Sequence, residues 1–245
     1  MRAPKPFATE TDLCAAFLAA VPDTWTAWKE HAGWDILLVR KADGFQIGIE
    51  AKLKCNATVL QQALEEYGTI GVASEGPDCR AILVPESEGT LKPLADYLGI
   101  TVIQMRVRDR WSGPLFLPSL PEEPDQYSNH LWHEWLPTKR HALLEYLPHV
   151  PAGAPAPLQL TWWKIQAMKL VILATTRGYV TREDFKHLRI DHRMWVGANG
   201  WLRPTERKGW YFAEGTPPFA LKEQHPRVYA EIEADADKWM PKVAT

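Results

Sequence analysis

The run Trp34-Asp35-Ile36-Leu37-Leu38-Val39-Arg40, then Lys41-Ala42-Asp43-Gly44, then Phe45-Gln46-Ile47-Gly48-Ile49-Glu50-Ala51-Lys52 decides the fold of this chain. Two stretches rich in β-branched and apolar residues, Trp34 to Val39 and Phe45 to Ala51, flank a short polar turn ending in glycine, which reads as a β-hairpin. If Arg40 faces Phe45 across that turn, positions summing to 85 pair, and Asp35 faces Glu50. Directly opposed residues have Cβ atoms about 4.5–5.5 Å apart, where like charges destabilise the ladder, so a cation is needed beside them. Lys52, two residues beyond Glu50, projects from the same face, and the small side chain of Ala51 projects from the other.

Working outward, Thr9 and Asp12 form a helix-start signature, after which Leu13, Phe17 and Ala20 recur at helical spacing. Glu10 precedes Leu13 by three and Phe17 by seven, which puts a further carboxylate on the stripe facing the core. An earlier strand is expected around Trp25 to Lys29. After the hairpin come a helix over Ala57 to Glu66, a strand over Arg80 to Val84, a helix over Leu91 to Leu98 and a strand over Thr101 to Met105. The order is α-β-β-β-α-β-α-β, an α/β class. Three acids and a lysine on one side of a hairpin suit a hard divalent cation such as Mg²⁺, with Mn²⁺ able to substitute, because such ions take oxygen ligands and are held by one or two carboxylates plus substrate phosphate. Phosphodiester hydrolysis is the chemistry this set serves: a cation to polarise a phosphoryl oxygen and acidify water, and an ammonium to orient that water or to oppose developing negative charge.

The segment from Trp34-Asp35 through Ile49-Glu50-Ala51-Lys52 resembles the core of the PD-(D/E)XK nuclease superfamily, in which an Asp leads into a hairpin whose second strand ends in Glu-x-Lys. The resemblance covers roughly the first hundred residues and includes the order of elements. It implies a restriction-endonuclease-like αβββαβ core in which Asp35 and Glu50 ligate metal with the Ala51 carbonyl, Lys52 is the catalytic lysine and Glu10 the helix-borne acid. Trp34 stands where the family often has proline. In a RecB-like subset a glutamine on the next helix contacts substrate, with a tyrosine four residues later; Gln61 and Gln62 occupy that helix, but Tyr67 follows at six and five.

Charge divides the chain. Residues 1–127 hold 12 Lys and Arg against 18 Asp and Glu, whereas 161–212 hold 10 against 4, although the whole chain of 245 residues carries only −2. Prolines gather at 114, 118, 121 and 124 and again at 148, 151, 155 and 157, so we expect a nuclease-like domain over 1–110, a proline-rich linker with a helical connector (127–147) over 111–157, and a DNA-binding domain over 158–245. In the last of these, Trp162, Ile165, Met168 and Ile172 lie at helix-face spacing before an Arg177-Gly178 stop, and Thr181 to Asp184 resembles a capping box. A third helix over Ile190 to Val196 and a hairpin around Pro204 to Lys208 complete a layout that resembles a winged helix-turn-helix. That resemblance implies DNA contact by Lys186, Arg189 and Arg193 on or near the groove-facing helix and by Arg203, Arg207 and Lys208 on the wing, since cations that neutralise phosphates release counterions.

The remaining signals exclude more than they assign. A composition of 46% hydrophobic and 24% charged residues is that of a globular protein. No apolar run approaches the roughly 18 residues of a membrane helix. Glu10 and Asp12 sit where a signal peptide would be basic or neutral, and three scattered cysteines form no disulfide framework, so a cytoplasmic protein without membrane partners is expected. The 12 tryptophans fall mostly at apolar-face spacing and are expected to pack. His130, His133 and His141 lack further ligands for a closed metal site, and packing is their expected role. No Walker loop, dinucleotide fingerprint or nucleophile elbow occurs. The expected activity is Mg²⁺-dependent hydrolysis of DNA, with a homodimer favoured if both strands are cut. The alternatives are a DNA-binding regulator or assembly factor with a non-cleaving core, and a protein-interaction scaffold.

Overall fold

A computed structural model of the chain describes residues 6–65, 75–86, 91–107, 113–122, 131–152, 158–196 and 200–241. It forms two compact units, one of Met1–Leu143 with Val150–Gln159 and the other of Leu144–His149 with Leu160–Thr245.

In the first unit, Thr9 caps helix α1 (Glu10–Leu18): its hydroxyl accepts from the Asp12 amide while the Asp12 carboxylate accepts from the Thr9 amide. Strands β1 (Trp25–His31), β2 (Trp34–Arg40) and β3 (Gln46–Ala51) follow as an antiparallel meander. Next come α2 (Ala57–Glu65), β4 (Cys79–Pro85), α3 (Lys92–Tyr97), β5 (Ile100–Met105) and a short β6 (Phe116–Leu117). The six strands lie in the order β1-β2-β3-β4-β5-β6, with β3, β4 and β5 parallel and the outer pairs antiparallel. The two parallel pairings follow the two crossover helices, as parallel neighbours require. Strand β6 was not expected; it arises within the proline-rich stretch.

Alternation sorts the two faces of this mixed sheet. Ile36, Leu38, Ile47, Ile49, Ala81 and Leu83 join Leu13, Cys14 and Phe17 of α1 in one apolar cluster. Arg80, one residue from Ala81, turns to the opposite face, where its guanidinium donates to the Ala63 carbonyl of α2 at 2.6 Å. Helices therefore cover both faces, and β4 is buried at every position.

The connector expected to be helical is not. Residues 131–147 contain no α-helix, and 127–130 lie outside the described residues. Pro137 lacks an amide and disfavours helical geometry at Leu136, which takes φ 46°. The strip is fastened to the first unit instead: the Trp135 amide donates to the Asp78 carbonyl at 2.7 Å and its indole to the Gly99 carbonyl at 2.9 Å, while the Trp132 indole donates to the Ser119 carbonyl at 2.9 Å.

The second unit is built on α4 (Trp162–Arg177), capped by the Thr161 hydroxyl and stopped by Gly178 at φ 76°. Its residues from Ile165 to Ala174 are all buried, so the helix is enclosed on every side. Strand β7 (Val180–Thr181) leads into α5 (Arg182–Leu188), whose start is the expected Thr181–Asp184 capping box. Strands β8 (Leu202–Pro204) and β9 (Trp210–Ala213) form the expected hairpin, giving a sheet ordered β7-β9-β8. Three short helices close the unit: α6 (Leu221–Gln224), α7 (Pro226–Ala234) and α8 (Ala236–Trp239). The third helix expected over Ile190 to Val196 is reduced to a 3₁₀ turn, His192–Met194. Arg189 in a left-handed conformation ends α5, Asp191 caps the turn, and Trp195 is fully buried, which leaves no room for a longer helix between them.

Candidate functional site

The hairpin turn sets the register on which the site depends. Gly44, at φ 72°, lets the chain reverse so that the Arg40 amide donates to the Phe45 carbonyl at 2.8 Å. Asp43 locks the reversal: its carboxylate accepts from the Phe45 amide and from the Arg40 guanidinium, and the latter bond is the main reason its carboxyl is held down to about 2. Ile36 then pairs with Ile49 and Leu37 with Gly48, so Asp35 comes abreast of Glu50 as the sequence arithmetic requires.

Around that pair the elements converge. The Asp35 Oδ2 accepts from the Ala51 amide at 2.8 Å, which fixes one carboxylate against the end of β3. The Ala51 side chain is fully buried in the cluster that includes Leu13, Cys14 and Phe17 of α1. Glu50 is buried to 6% exposure. The Lys52 Nζ donates to Glu10 Oε2 at 3.2 Å, joining the strand end to the first turn of α1. Glu10, expected on the buried stripe, is partly exposed and engages the lysine.

Electrostatics give the groups distinct states. Burial pushes the Asp35 carboxyl above its ordinary value and Glu10 adds repulsion, against the Ala51 amide and Lys52. Burial alone would lower the Lys52 ammonium, but the charge of Asp35, the Glu10 hydrogen bond and the charges of Glu10 and Glu50 raise it above the usual lysine value. Lys52 is thus a permanent cation at neutral pH. The neighbouring Cys14 thiol is pushed up to about 12, by burial first and then by Asp35, Glu30 and Glu10, and is inert as a nucleophile.

Three participants were not read from the sequence. Glu30 lies between the pairs Lys29–Ile36 and His31–Trp34 and so comes abreast of Asp35 on the far side from Glu50; the signal was available by continuing the pairing across the two-residue Ala32-Gly33 turn, both of whose residues have positive φ. Its carboxylate accepts from the Gln159 amide at 3.0 Å. Gly48 is the second, since a Cβ there would lie 2.3 Å from the Trp34 indole. Arg80 is the third: it is 2% exposed, with its guanidinium carbon 5.5 Å from the Trp34 ring centroid. Trp34 is thereby wedged beside Asp35, its Nε1 donating to His141 Nε2 at 3.3 Å.

The remaining expected residues are dispersed. Gln61 is exposed on α2, while the Oε1 of Gln62 is buried without a hydrogen-bond partner among the described residues; Tyr67 lies outside them. His133 lies against Gly99 and edge-on to Trp135 but is exposed, and His130 lies outside the described residues. In the second unit, Lys186 pairs with Glu183 at 2.7 Å, Arg193 with Asp191 at 2.6 Å and Arg203 with Glu214 at 2.6 Å. The bonds from Arg193 hold the Asp191 carboxyl down to about 2. Arg207 lies 4.0 Å over the Trp210 ring, Lys208 is exposed beside it, and Arg189 is exposed at the end of α5. Three of the six cations expected to meet DNA are therefore matched by a nearby acid.

Among the described residues no three His, Cys, Asp or Glu side chains form a ready-made metal cage. A cavity of about 1050 Å³ opens at the other end of the hairpin between Trp25, Arg40, Phe116 and Leu120, and no carboxylate of the cluster lines it. No helix among the described residues is long and apolar enough to cross a membrane. The chain matches no family model, no curated protein and no solved structure.

Proposed function

We propose that the first unit is a metal-dependent phosphodiesterase of the PD-(D/E)XK type that hydrolyses DNA, and that the second is a winged-helix-like module that docks it. One observation carries the reading: two carboxylates on adjacent strands, Asp35 and Glu50, lie beside an ammonium, Lys52, that is held by an acid from the opening helix. The element order from α1 to β4 supports it as well.

The donor set fits Mg²⁺ or Mn²⁺. Carboxylate oxygens are hard ligands, and a magnesium ion keeps open positions for water and substrate phosphate instead of needing an all-protein cage. Asp35, Glu50 and the Ala51 carbonyl would hold the ion. Bound there, it would supply Lewis-acid polarisation of a phosphoryl oxygen and a more acidic water. The chain's own residues do the rest. The Ala51 amide fixes the Asp35 rotamer, so no reorganisation is needed on binding. Lys52, whose ammonium the neighbouring acids favour, acts as a cation that stabilises negative charge growing on the phosphoryl group and aligns the attacking water. Glu10 holds that ammonium in place.

The test is incubation with plasmid and linear DNA in Mg²⁺, Mn²⁺ or EDTA, repeated with Lys52→Ala and Glu50→Ala. Cleavage that needs metal and vanishes in both variants is the expected result; cleavage that survives in either overturns the assignment. One oxygen of Asp35 is already engaged by the Ala51 amide and burial raises its carboxyl, which weakens it as a metal ligand and favours a second reading, a DNA-binding regulator with a non-cleaving core. It predicts DNA binding with no cleavage under any of these conditions.

A further inference from the structure

Helix α4 is enclosed on all sides, yet it buries two polar residues on one stripe, Gln166 and Lys169, at 8% and 4% exposure. Both line a pocket of about 250 Å³ with Trp162 from the same helix, His187 and Arg189 from the end of α5, and Trp239 from α8. Lys169 donates to Glu145, a residue whose side chain is half exposed, and its ammonium lies 5.5 Å from the Trp239 ring and 5.8 Å from that of Tyr146. The His187 Nε2 donates to the Trp239 carbonyl at 2.8 Å, which fixes that residue as part of the wall. The Gln166 side-chain amide makes no side-chain hydrogen bond among the described residues, and the residue lines the pocket. Arg189 contributes from a left-handed backbone, φ 53°, a conformation that favours glycine at a helix end.

We propose that this pocket binds a phosphate monoester, the terminal phosphate of a nucleotide. Lys169 and Arg189 bring two positive charges against the single carboxylate of Glu145, leaving the pocket cationic. The ammonium, guanidinium and amide supply donors from two elements, which suits the three oxygens of a monoester better than the two of a carboxylate. The volume exceeds that of a lone phosphate ion, and Trp162, 46% exposed at the rim, offers a face on which a base can stack. A free mononucleotide and the phosphorylated end of a strand share this chemistry. Nothing in this pocket depends on the first unit's activity.

The test uses the full chain in EDTA, so that binding is read without metal-dependent hydrolysis. Calorimetric titration compares dAMP with deoxyadenosine, and a short 5′-phosphorylated oligonucleotide with its 5′-hydroxyl counterpart. The phosphorylated member of at least one pair binds about tenfold more tightly, the change that one charge-assisted hydrogen bond produces. Preference in the first pair identifies a free nucleotide, and preference confined to the second identifies a strand end. Gln166→Leu and Arg189→Gly each reduce the preference severalfold; the glycine variant also relieves a strained backbone, so its melting temperature is unchanged or raised. Equal binding within both pairs, or variants that retain the parent's preference, overturns the proposal.

Discussion

The charged residues singled out from the sequence in the two units are arranged in opposite ways. In the first, Glu10, Asp35, Glu50 and Lys52 come from a helix and two strands, are wholly or partly buried, and include a pair of like charges set side by side. In the second, Lys186, Arg193 and Arg203 are matched by Glu183, Asp191 and Glu214 within a few residues or across one hairpin, mostly at the surface. Exposed local pairs add little to stability, whereas desolvated charges brought together cost free energy unless they are paired and hydrogen-bonded. The first unit thus gathers charges from separate elements, and the cations named in the second are matched close by in the chain.

That contrast breaks most sharply at Lys52. Lys52→Ala is expected to reduce DNA cleavage by at least about 10²-fold, the scale of losing one preorganised electrostatic group, as measured by single-turnover hydrolysis in Mg²⁺. Glu10→Gln, which leaves the ammonium in place but removes its charged partner, should cost only about tenfold, consistent with a positioning role. The next effect is structural: Gly48→Ala forces a Cβ against the Trp34 indole and should destabilise the first unit by about 1–3 kcal/mol in urea denaturation.

A smaller effect has a defined sign with pH. The folded state raises the Asp35 carboxyl, so it binds the proton more tightly than the unfolded chain does, and stability falls as pH rises through the window between the ordinary and the raised value. Asp35→Asn keeps an acceptor for the Ala51 amide but removes the charge. In EDTA it should be more stable than the parent at neutral pH, by about 0.5–1 kcal/mol, with the difference vanishing below about pH 4. Smallest of all, Arg193→Ala or Lys186→Ala should change stability by no more than about 0.5 kcal/mol, while removing either cation from its phosphate lowers the salt slope of DNA binding by about one.

Local rules made much of this readable in advance. Two capping boxes, the Gly178 stop and the hairpin register each depend on residues a few positions apart, and each appears where the amino acids require it. The same arithmetic, carried one turn further, would have found Glu30. The helical connector failed as an expectation because apolar spacing says nothing of partners, and Trp132 and Trp135 find theirs on the first unit. The third helix failed because Arg189 adopts a left-handed conformation for which nothing in its chemistry argues.

The order of residues alone therefore determined the β2–β3 hairpin, its register and the meeting of Asp35 with Glu50, because hydrogen-bonded hairpin geometry is periodic and short-ranged. Only the tertiary structure decided that α1 delivers Glu10 to Lys52, that Trp34 crosses Gly48 above Arg80, and that a buried glutamine and two cations share a pocket in the second unit. Those contacts join residues far apart in the chain, and which of many apolar faces meet is settled by packing the whole core at once.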